Sequence, residues 1–243
     1  MDAAIMKRLE GMVFNFERRI HPGRVELRTV EGPGGGPLPQ IEGTAAVFDE
    51  WTTLYEGPDP WTGGRFVLRE KIARGAFDTA LSESQDVRAL VNHDPSLLLG
   101  RSKAATLRLW TDTSGLRYQV DTANNQAGRD AVVSIGRGDM TGSSFGFSLR
   151  DGGDKRTTTE TGDLYQVDRE VLSVNLFDVS PVTYPAYTST STGIRSHGDV
   201  AKLVEEIERQ RALTLGLRRS ARQFRRLRLV GAALREVSQC RNR

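Results

Sequence analysis

Short strand-like runs separated by turn signals fill the middle of this chain and constrain its fold most strongly. Apolar and polar residues alternate in several runs, as in Thr106-Leu107-Arg108-Leu109-Trp110, and turn sequences such as Asp112-Thr113-Ser114-Gly115 follow them. A period of two residues is typical of strands with one buried face. The runs lie at 43–48, 65–70, 87–92, 106–110, 116–121, 143–149, 165–167 and 171–179.

Few helices interrupt these strands. The sequence predicts one short helix over 75–81 and a second over 126–135, which Gly136 or Gly138 would end. Many short strands with few helices favour a mostly β (α+β) fold, either a barrel or a sandwich, surrounded by a few helices.

Composition divides the chain into four segments. Apolar residues at helical spacing predict a short helix over 1–19, and the Gly/Pro-rich run 32–37 predicts a linker before the strand-rich body. After the body, a polar Ser/Thr-rich stretch predicts a flexible linker, and a basic amphipathic helical tail follows it. The predicted segments are an N-terminal extension at 1–39, the body at 40–187, the linker at 188–198 and the tail at 199–243.

The predicted tail is strongly basic. It carries 12 lysine and arginine residues against 5 acidic ones, whereas the rest of the chain has a small acidic excess. Such a tail is typical of a solvated helix face, and also of contact with nucleic acid or an acidic protein. The body is acidic and lacks aromatic residues interleaved with basic ones, so a nucleic-acid-binding barrel is disfavoured.

Composition also narrows the class of protein. Cys240 is the single cysteine, which excludes an intrachain disulfide and argues against a cysteine-based metal site. No apolar run approaches the ~18 residues that a membrane span needs, so no membrane contact is predicted. The N-terminus has no apolar signal-peptide segment with a small-residue cleavage site. These features favour a cytosolic protein.

One histidine and one serine motif suggest hydrolytic chemistry. His93 ends a compact apolar run at 87–91, whereas the other two histidines lie in Gly/Pro- or Ser-rich surroundings. The motif Gly142-Ser143-Ser144-Phe145-Gly146-Phe147 follows about fifty residues later. A serine hydroxyl needs a base within hydrogen-bond reach, and histidine suits that role. The structural alternatives are that His93 is a buried histidine without a catalytic role and that the serine motif is a strand whose glycine allows close packing.

A carboxylate would complete such a site by orienting the imidazole. The candidates are Asp178, Glu170, Asp168 and Asp94. Asp94 is disfavoured because neighbouring side chains on an extended strand point to opposite faces. Asp178 interrupts an apolar run, and a buried carboxylate needs a partner. A turn before Pro181 is the alternative role for Asp178.

Several segments in the same order resemble the prohead (capsid maturation) serine proteases of tailed bacteriophages. Each segment is weakly specific alone, but the series covers about 60% of the chain. The matching segments are Ile41-Glu42-Gly43-Thr44-Ala45-Ala46-Val47-Phe48, Glu70-Lys71-Ile72-Ala73-Arg74-Gly75-Ala76-Phe77, Asn92-His93-Asp94, Leu99-Gly100-Arg101, Thr106-Leu107, Gly115-Leu116, the run from Gly138 to Phe147 and the run from Asp178 to Tyr187.

The resemblance implies a role for each site residue. His93 resembles the family's catalytic base, and Ser144, directly before Phe-Gly-Phe, resembles the nucleophile. Ser143 would face the other way on a strand. Asp178 stands where the family has an acidic residue before Val-Ser, with Glu170 as the alternative third residue. The implied fold is a small β-barrel ringed by helices, similar to that of herpesvirus assembly proteases.

The resemblance also implies the activity. It predicts a serine endopeptidase that works through an acyl-enzyme and needs no metal or cofactor. Its partners would be the scaffold protein and the major capsid protein, whose scaffold-like segment it would cleave, as well as itself. It would act in the host cytoplasm, inside the assembling prohead, with self-association as a further possibility.

A non-catalytic role is the alternative function for the whole protein. A capsid scaffold or assembly chaperone would keep the fold without the activity, although such a protein has no need of both His93 and Ser144.

The basic tail has two possible roles. It would recruit the protease to scaffold helices, and self-cleavage in 188–198 would then release the protease. In the simpler alternative, both ends of the chain are extensions that only increase solubility.

Overall fold

A computed structural model describes residues 16–21, 24–31, 36–59, 62–183, 204–209 and 211. Strands dominate these residues, as the sequence predicted, and helices are few. The elements are β1 Glu17–His21, β2 Val25–Glu31, β3 Pro37–Val47, β4 Thr52–Pro58, β5 Arg65–Ile72, α1 Asp78–Ser82, β6 Arg88–Val91, β7 Asp94–Arg101, a 3₁₀ turn Ser102–Ala104, β8 Leu107–Thr111, β9 Gly115–Asp121, α2 Gln126–Gly136, β10 Gly142–Leu149, β11 Asp154–Thr161, β12 Leu164–Val171 and β13 Val174–Val182.

The described strands form three open sheets. Their strand orders are β1-β10-β13-β6-β7, β2-β3-β9-β8 and β11-β12-β5-β4. No ladder among these strands joins β1 to β7, so the small closed barrel predicted from the resemblance is not observed in the described residues. The mostly β prediction with a few helices is confirmed in its coarser form.

The chain divides into two compact units. The larger unit contains the described residues up to Thr52, Glu70–Thr157 and those from Asp168 to 183. Thr53–Arg69, Thr158–Val167 and the described residues from 204 onward form the smaller unit. Strands of the third sheet contribute residues to both units, whereas the first two sheets belong to the larger unit.

The larger unit has one apolar core. Aromatic rings stack at its centre, where Phe145 lies 5.0 Å from Phe147 and 5.4 Å from Phe77 between ring centroids. Branched and aromatic side chains of the second sheet, such as Ile41 and Leu116, belong to the same cluster. Alternation along the strands therefore buries one face of each sheet, as the period-two pattern predicted.

The smaller unit has its own apolar cluster. Phe66 and Tyr165 pack with their ring centroids 5.8 Å apart, and Leu68 and Val167 complete this part of the cluster. Residues 204–209 are helical, and their Ile207 is buried in the same cluster. The rest of the predicted tail, apart from Arg211, lies outside the described residues, as does the predicted linker 188–198.

The N-terminal helix prediction is wrong where it can be compared. The predicted helix over 1–19 ends in β1, which begins at Glu17 and pairs antiparallel with β10. Residues 1–15 lie outside the described residues. Helical spacing misled the prediction here because the unpaired edge of β10 offers this segment backbone hydrogen bonds that a sequence pattern does not reveal.

The predicted internal helices correspond to α1 and α2. Helix α1 is shorter than predicted, and α2 begins after Asn125, whose side chain accepts a hydrogen bond from the Gly128 amide. That contact caps an otherwise unsatisfied amide of the first turn. None of the helices in the described part of the chain is both long and apolar enough to span a bilayer.

Candidate active site

His93, Ser144 and Asp178 lie together in the first sheet of the larger unit. His93 Nδ1 is 2.5 Å from Asp178 Oδ1, and His93 Nε2 is 2.6 Å from Ser144 Oγ. All three side chains are buried. The imidazole therefore bridges a carboxylate and a hydroxyl, which is the geometry that lets a histidine take a proton from a serine.

A tight hairpin holds His93 in this position. Strand β6 ends at Val91 and β7 begins at Asp94, so Asn92 and His93 alone form the loop, with φ of 51° and 60°. Two-residue loops with positive φ at both positions match the twist of paired strands, and asparagine tolerates this region well. Histidine in the same region costs of order 1–3 kcal/mol, a strain typical of functional sites.

Neighbouring backbone fixes this loop against β13. The Asn92 amide donates to the Pro181 carbonyl at 3.0 Å, and Asn92 Oδ1 accepts from the Thr183 amide at 3.0 Å. These bonds tie the hairpin to the strand that carries Asp178. The loop that presents His93 and the strand that presents the carboxylate are thereby held in one register.

The adjacent strands β10 and β13 bring the other two residues to the same face. Ser144 lies opposite Ser180 and Gly146 lies opposite Asp178 in the antiparallel ladder. Because alternate side chains share a face, Ser144 projects on the same side of the sheet as Asp178. The Ser180 hydroxyl donates to Asp178 Oδ1 at 2.8 Å and lies 3.4 Å from His93 Nδ1.

Glycine at position 146 makes room for the carboxylate. A Cβ there would lie 2.2 Å from Asp178 Oδ2 and 2.5 Å from Phe16 Cζ, well inside contact distance. The glycine of the Ser-Phe-Gly-Phe motif is thus explained by the close approach of a side chain from β13. Sequence reasoning named this residue only as a packing alternative.

The contacts of the other carboxylate candidates differ from those of Asp178. Glu170 pairs with Lys71 at 2.8 Å, and that hydrogen bond raises the pKa of Lys71. Asp94 accepts from the hydroxyl and amide of Ser96, which lowers the pKa of Asp94. Asp168 lies on β12. Among the four candidates, Asp178 is the one that the structure places against the imidazole.

Ser143 points away from His93, as strand alternation predicted. Its hydroxyl donates to the Tyr118 hydroxyl at 3.1 Å, and both residues are fully buried. Burial raises the pKa of Tyr118, and the hydrogen bond from Ser143 opposes this only in part. The phenol therefore stays neutral and serves as a structural acceptor.

Strand β1 covers the Ser144 hydroxyl, which sequence reasoning missed. Ile20 lies opposite Ser144 in the β1–β10 ladder, and Ser144 Oγ is 2.8 Å from the Arg19 carbonyl oxygen, to which it donates. Ser144 is fully buried as a result. A hydroxyl has one proton, so the Arg19 carbonyl competes with His93 Nε2 for it.

A buried charge cluster anchors the same strand. The Arg19 guanidinium contacts Glu70 at 2.5 Å and also Glu17, while Arg169 contacts Glu17 and Glu70 at 2.7 Å each. Arg169 also pairs with Asp154 at 2.9 Å. Each buried charge here has a partner of opposite sign, as burial of ionised groups requires. We call Glu17, Arg19, Glu70, Arg169 and Asp154 the buried charge cluster.

Ionisation in this cluster follows from its pairing. Burial disfavours the charged form of Glu17, but hydrogen bonds and charges from Arg169 and Arg19 outweigh it and lower the pKa of Glu17 to about 2. Burial likewise opposes the charged guanidinium groups, and the facing carboxylates outweigh it and raise the pKa of Arg19 and of Arg169. Glu17, Arg19 and Arg169 are therefore ionised at neutral pH.

The described residues contain no group of three or more His, Cys, Asp and Glu side chains arranged to hold a metal ion. The serine, imidazole and carboxylate together can act as a nucleophile, a base and an orienting group. In the tautomer with its proton on Nδ1, directed at Asp178, the imidazole presents Nε2 as an acceptor for the Ser144 proton. This is the arrangement of residues that acyl-transfer enzymes use.

The serine–histidine–carboxylate set is typical of a peptidase active site. Comparison with known protein families identifies the class of protein. The model of the caudovirus prohead serine protease family matches residues 24–203, and the chain belongs to that family. The resemblance identified from the sequence is thereby confirmed. The chain is accordingly a peptidase of bacteriophage capsid maturation.

Individual proteins show only low similarity to this chain. The bacteriophage T4 capsid assembly protease, gp21, is similar over 70% of this chain and 96% of its own, with 13% sequence identity and a TM-score of 0.41. No curated protein shows significant sequence similarity to the chain. The family assignment therefore depends on the family match alone.

Proposed function

We propose that the chain is a serine endopeptidase in which Ser144 is the nucleophile, His93 the general base and Asp178 the orienting acid. The observation that carries this proposal is the continuous set of contacts from Ser144 Oγ through the imidazole to Asp178 Oδ1. A non-catalytic scaffold has no need to bury three polar groups in this alignment, since a buried polar group is costly unless it is paired.

The mechanism follows from these contacts. Ser144 Oγ attacks the scissile carbonyl carbon while His93 Nε2 takes its proton, and Asp178 stabilises the imidazolium that forms. The protonated imidazole then gives the proton to the leaving amine, which leaves an acyl-enzyme. Water, deprotonated by the same imidazole, hydrolyses the ester and restores the serine. Ser144 meets an external carbonyl only after β1 has left β10.

The proposed substrates are the capsid-assembly proteins with which a prohead protease is packaged. Family membership supports action on the scaffold protein or on a scaffold-like segment of the major capsid protein, and on the chain itself, inside the assembling prohead in the host cytoplasm. We place the protease domain at 40–187, as the sequence predicted, and add β1 and β2 to it because both strands pair with its sheets.

Co-expression with the cognate capsid protein tests the proposal. Wild type is expected to trim the capsid protein or itself, and Ser144→Ala is expected to leave both intact, as read from intact product masses. Ser143→Ala serves as the matched control, because it removes a neighbouring buried hydroxyl that faces Tyr118. Equal cleavage by Ser144→Ala would disprove the choice of nucleophile. Assembled shells without any cleavage by wild type would favour the scaffold or chaperone role.

A further inference from the structure

Strand β1 lies where a peptide substrate would lie. It adds antiparallel to the edge of β10, the strand that carries Ser144, and this is the mode in which extended peptides bind to sheets. The carbonyl of Arg19 is the one that faces Ser144 Oγ, at 2.8 Å. If this strand is treated as a bound peptide, the bond presented to the nucleophile is the one between Arg19 and Ile20.

Side chains on this strand alternate between two environments. Glu17 and Arg19 face inward and are buried, whereas Arg18 between them is exposed. The inward pair meets Glu70 and Arg169, which belong to β5 and β12. In a strand bound at this edge, the enzyme therefore contacts the side chain directly before the cleaved bond and the side chain two positions before that one.

The contacts made by these two inward side chains are specific. The Arg19 guanidinium forms hydrogen bonds to both carboxylate oxygens of Glu70, at 2.5 and 2.9 Å, and lies over the Phe147 ring at 5.4 Å. Both Glu17 oxygens accept from the Arg169 guanidinium at 2.7 Å. Paired geometry of this kind distinguishes charged planar groups from other side chains.

Stability alone explains this cluster poorly. Buried ion pairs contribute little net free energy compared with apolar side chains of the same volume, because the cost of desolvation cancels most of the attraction. They discriminate strongly, however, because a wrong side chain leaves a buried charge unpaired. Because two members of the cluster belong to the strand that pairs with the Ser144 strand, the cluster points to recognition of a sequence.

We propose that Glu70 and Arg169 form the recognition pocket for a substrate strand with a basic residue directly before the cleaved bond and an acidic residue two positions earlier. This inference depends on the proposed function of Ser144. Residues 17–21 are then a substrate-like segment of the chain itself. Hydrolysis there adds water across the Arg19–Ile20 bond, which leaves a carboxylate on Arg19 and an amine on Ile20.

The full-length Ser144→Ala chain, inactive by design, serves as the substrate for full-length wild-type enzyme. Fragment masses are expected to place the cut between Arg19 and Ile20. In this substrate Arg19→Ala is expected to slow cleavage at least about 100-fold, because it removes both hydrogen bonds from Arg19 to Glu70 and leaves that buried carboxylate with Arg169 alone. Arg18→Ala is the matched control and is expected to be cut at the parental rate, since its side chain is exposed.

Variants of the enzyme test the pocket from the other side. Glu70→Gln is expected to lose cleavage, whereas Glu170→Gln, a carboxylate paired with Lys71, is expected to retain it. Because Glu70→Gln changes a buried cluster, a charge swap separates recognition from folding. Enzyme carrying Glu70→Arg is expected to cut the substrate carrying Arg19→Glu in preference to the parental substrate.

Cleavage of the capsid protein distinguishes failure of the recognition pocket from failure of the proposed protease function. Wild type that cuts the capsid protein but leaves the Ser144→Ala chain uncut, or cuts it equally with Arg19→Ala and Arg18→Ala, would overturn the pocket and leave the protease assignment intact. Wild type that cuts neither protein would overturn the proposed function itself. Cuts in the capsid protein after a basic residue, with an acidic residue two positions before it, would support the pocket independently.

Discussion

The Asp178 carboxylate is held by two donors, because the Ser180 hydroxyl and the imidazole meet the same oxygen. A hydrogen bond to a charged group contributes about 1.5–3 kcal/mol. Ser180→Ala is therefore expected to lower kcat about 10-fold with little change in KM, because the carboxylate loses its alignment with His93. Ser143→Ala supplies the control, as it removes a buried hydroxyl outside the site. Equal losses in the two variants would show that Ser180 acts only through packing.

Gly146 tests how closely the carboxylate is packed. Gly146→Ala would place a methyl group 2.2 Å from Asp178 Oδ2, so the carboxylate and Phe16 must both move. We expect a loss of roughly 1–3 kcal/mol in the free energy of unfolding, from overpacking, together with a large loss of activity. Gly36→Ala is the control, because a Cβ at that position meets no atom within 4 Å. Unchanged melting temperature and activity in Gly146→Ala would contradict this geometry.

At the scale of the element, the docking of β1 depends on pH. The pKa of Glu17 is about 2, below its ordinary value of 4.5, so the ionised carboxylate stabilises the docked strand. This contribution is present above about pH 4.5 and is lost as the pH falls towards 2, by up to about 3 kcal/mol. We expect the protection factors of the β1 amides against hydrogen exchange, corrected for the intrinsic rate at each pH, to fall over that range.

Glu17→Gln isolates this effect from general acid unfolding. In that variant the protection factors of the β1 amides are expected to vary much less with pH, while Glu26→Gln, which changes an exposed carboxylate on β2, behaves as wild type. An identical acid response in Glu17→Gln and wild type would show that the cluster does not hold the strand.

The helix at 204–209 has the opposite pH dependence. Burial, together with the charges of Asp59 and Glu205, raises the pKa of Glu208 to about 7, against the opposing charge of Arg211. Because this pKa lies above the ordinary 4.5, the stabilisation is present below about pH 4.5 and is lost as the pH rises through 7. Limited proteolysis is expected to cut this helix faster at pH 8 than at pH 5.5.

The contribution of Glu208 to the stability of this helix is about 1 kcal/mol, because its side chain is only partly buried and solvent screens its charge. Glu208→Gln removes the titrating group and is expected to abolish the difference in proteolysis between the two pH values. Persistence of the difference in that variant would assign the pH response to another group.

At the scale of the whole molecule, the basic tail begins with a segment that is part of a folded unit. Ile207 is buried with Phe66 and Tyr165, and Arg211 pairs with Asp59 at 2.8 Å. A chain ending at residue 187 is therefore expected to lose stability, whereas one ending at 212 keeps these contacts. Recruitment by the tail predicts that the chain ending at 212 enters proheads less efficiently than the full chain. Equal encapsidation of the two would end the recruitment hypothesis.

The sequence indicated which side chains meet at His93, but not what surrounds them. His93, Ser144 and Asp178 stand in motifs whose spacing reflects two neighbouring strands and a hairpin, so pattern and resemblance both led to them. Strand β1 was missed because its pairing is set by a partner more than a hundred residues away. Glu70 and Arg169 are buried because they pair with each other and with Glu17 and Arg19 of β1, and strand alternation alone does not reveal this pairing.

The central claim is that Ser144 is the nucleophile and that His93 activates it. The most direct measurement is phosphonylation of the wild-type chain in assembled shells with a serine-directed fluorophosphonate, followed by mapping of the adduct mass. If Ser144 is the nucleophile and His93 its base, the adduct forms on Ser144 and does not form in His93→Ala. An adduct on another residue, or equal labelling of Ser144 in His93→Ala, would contradict it.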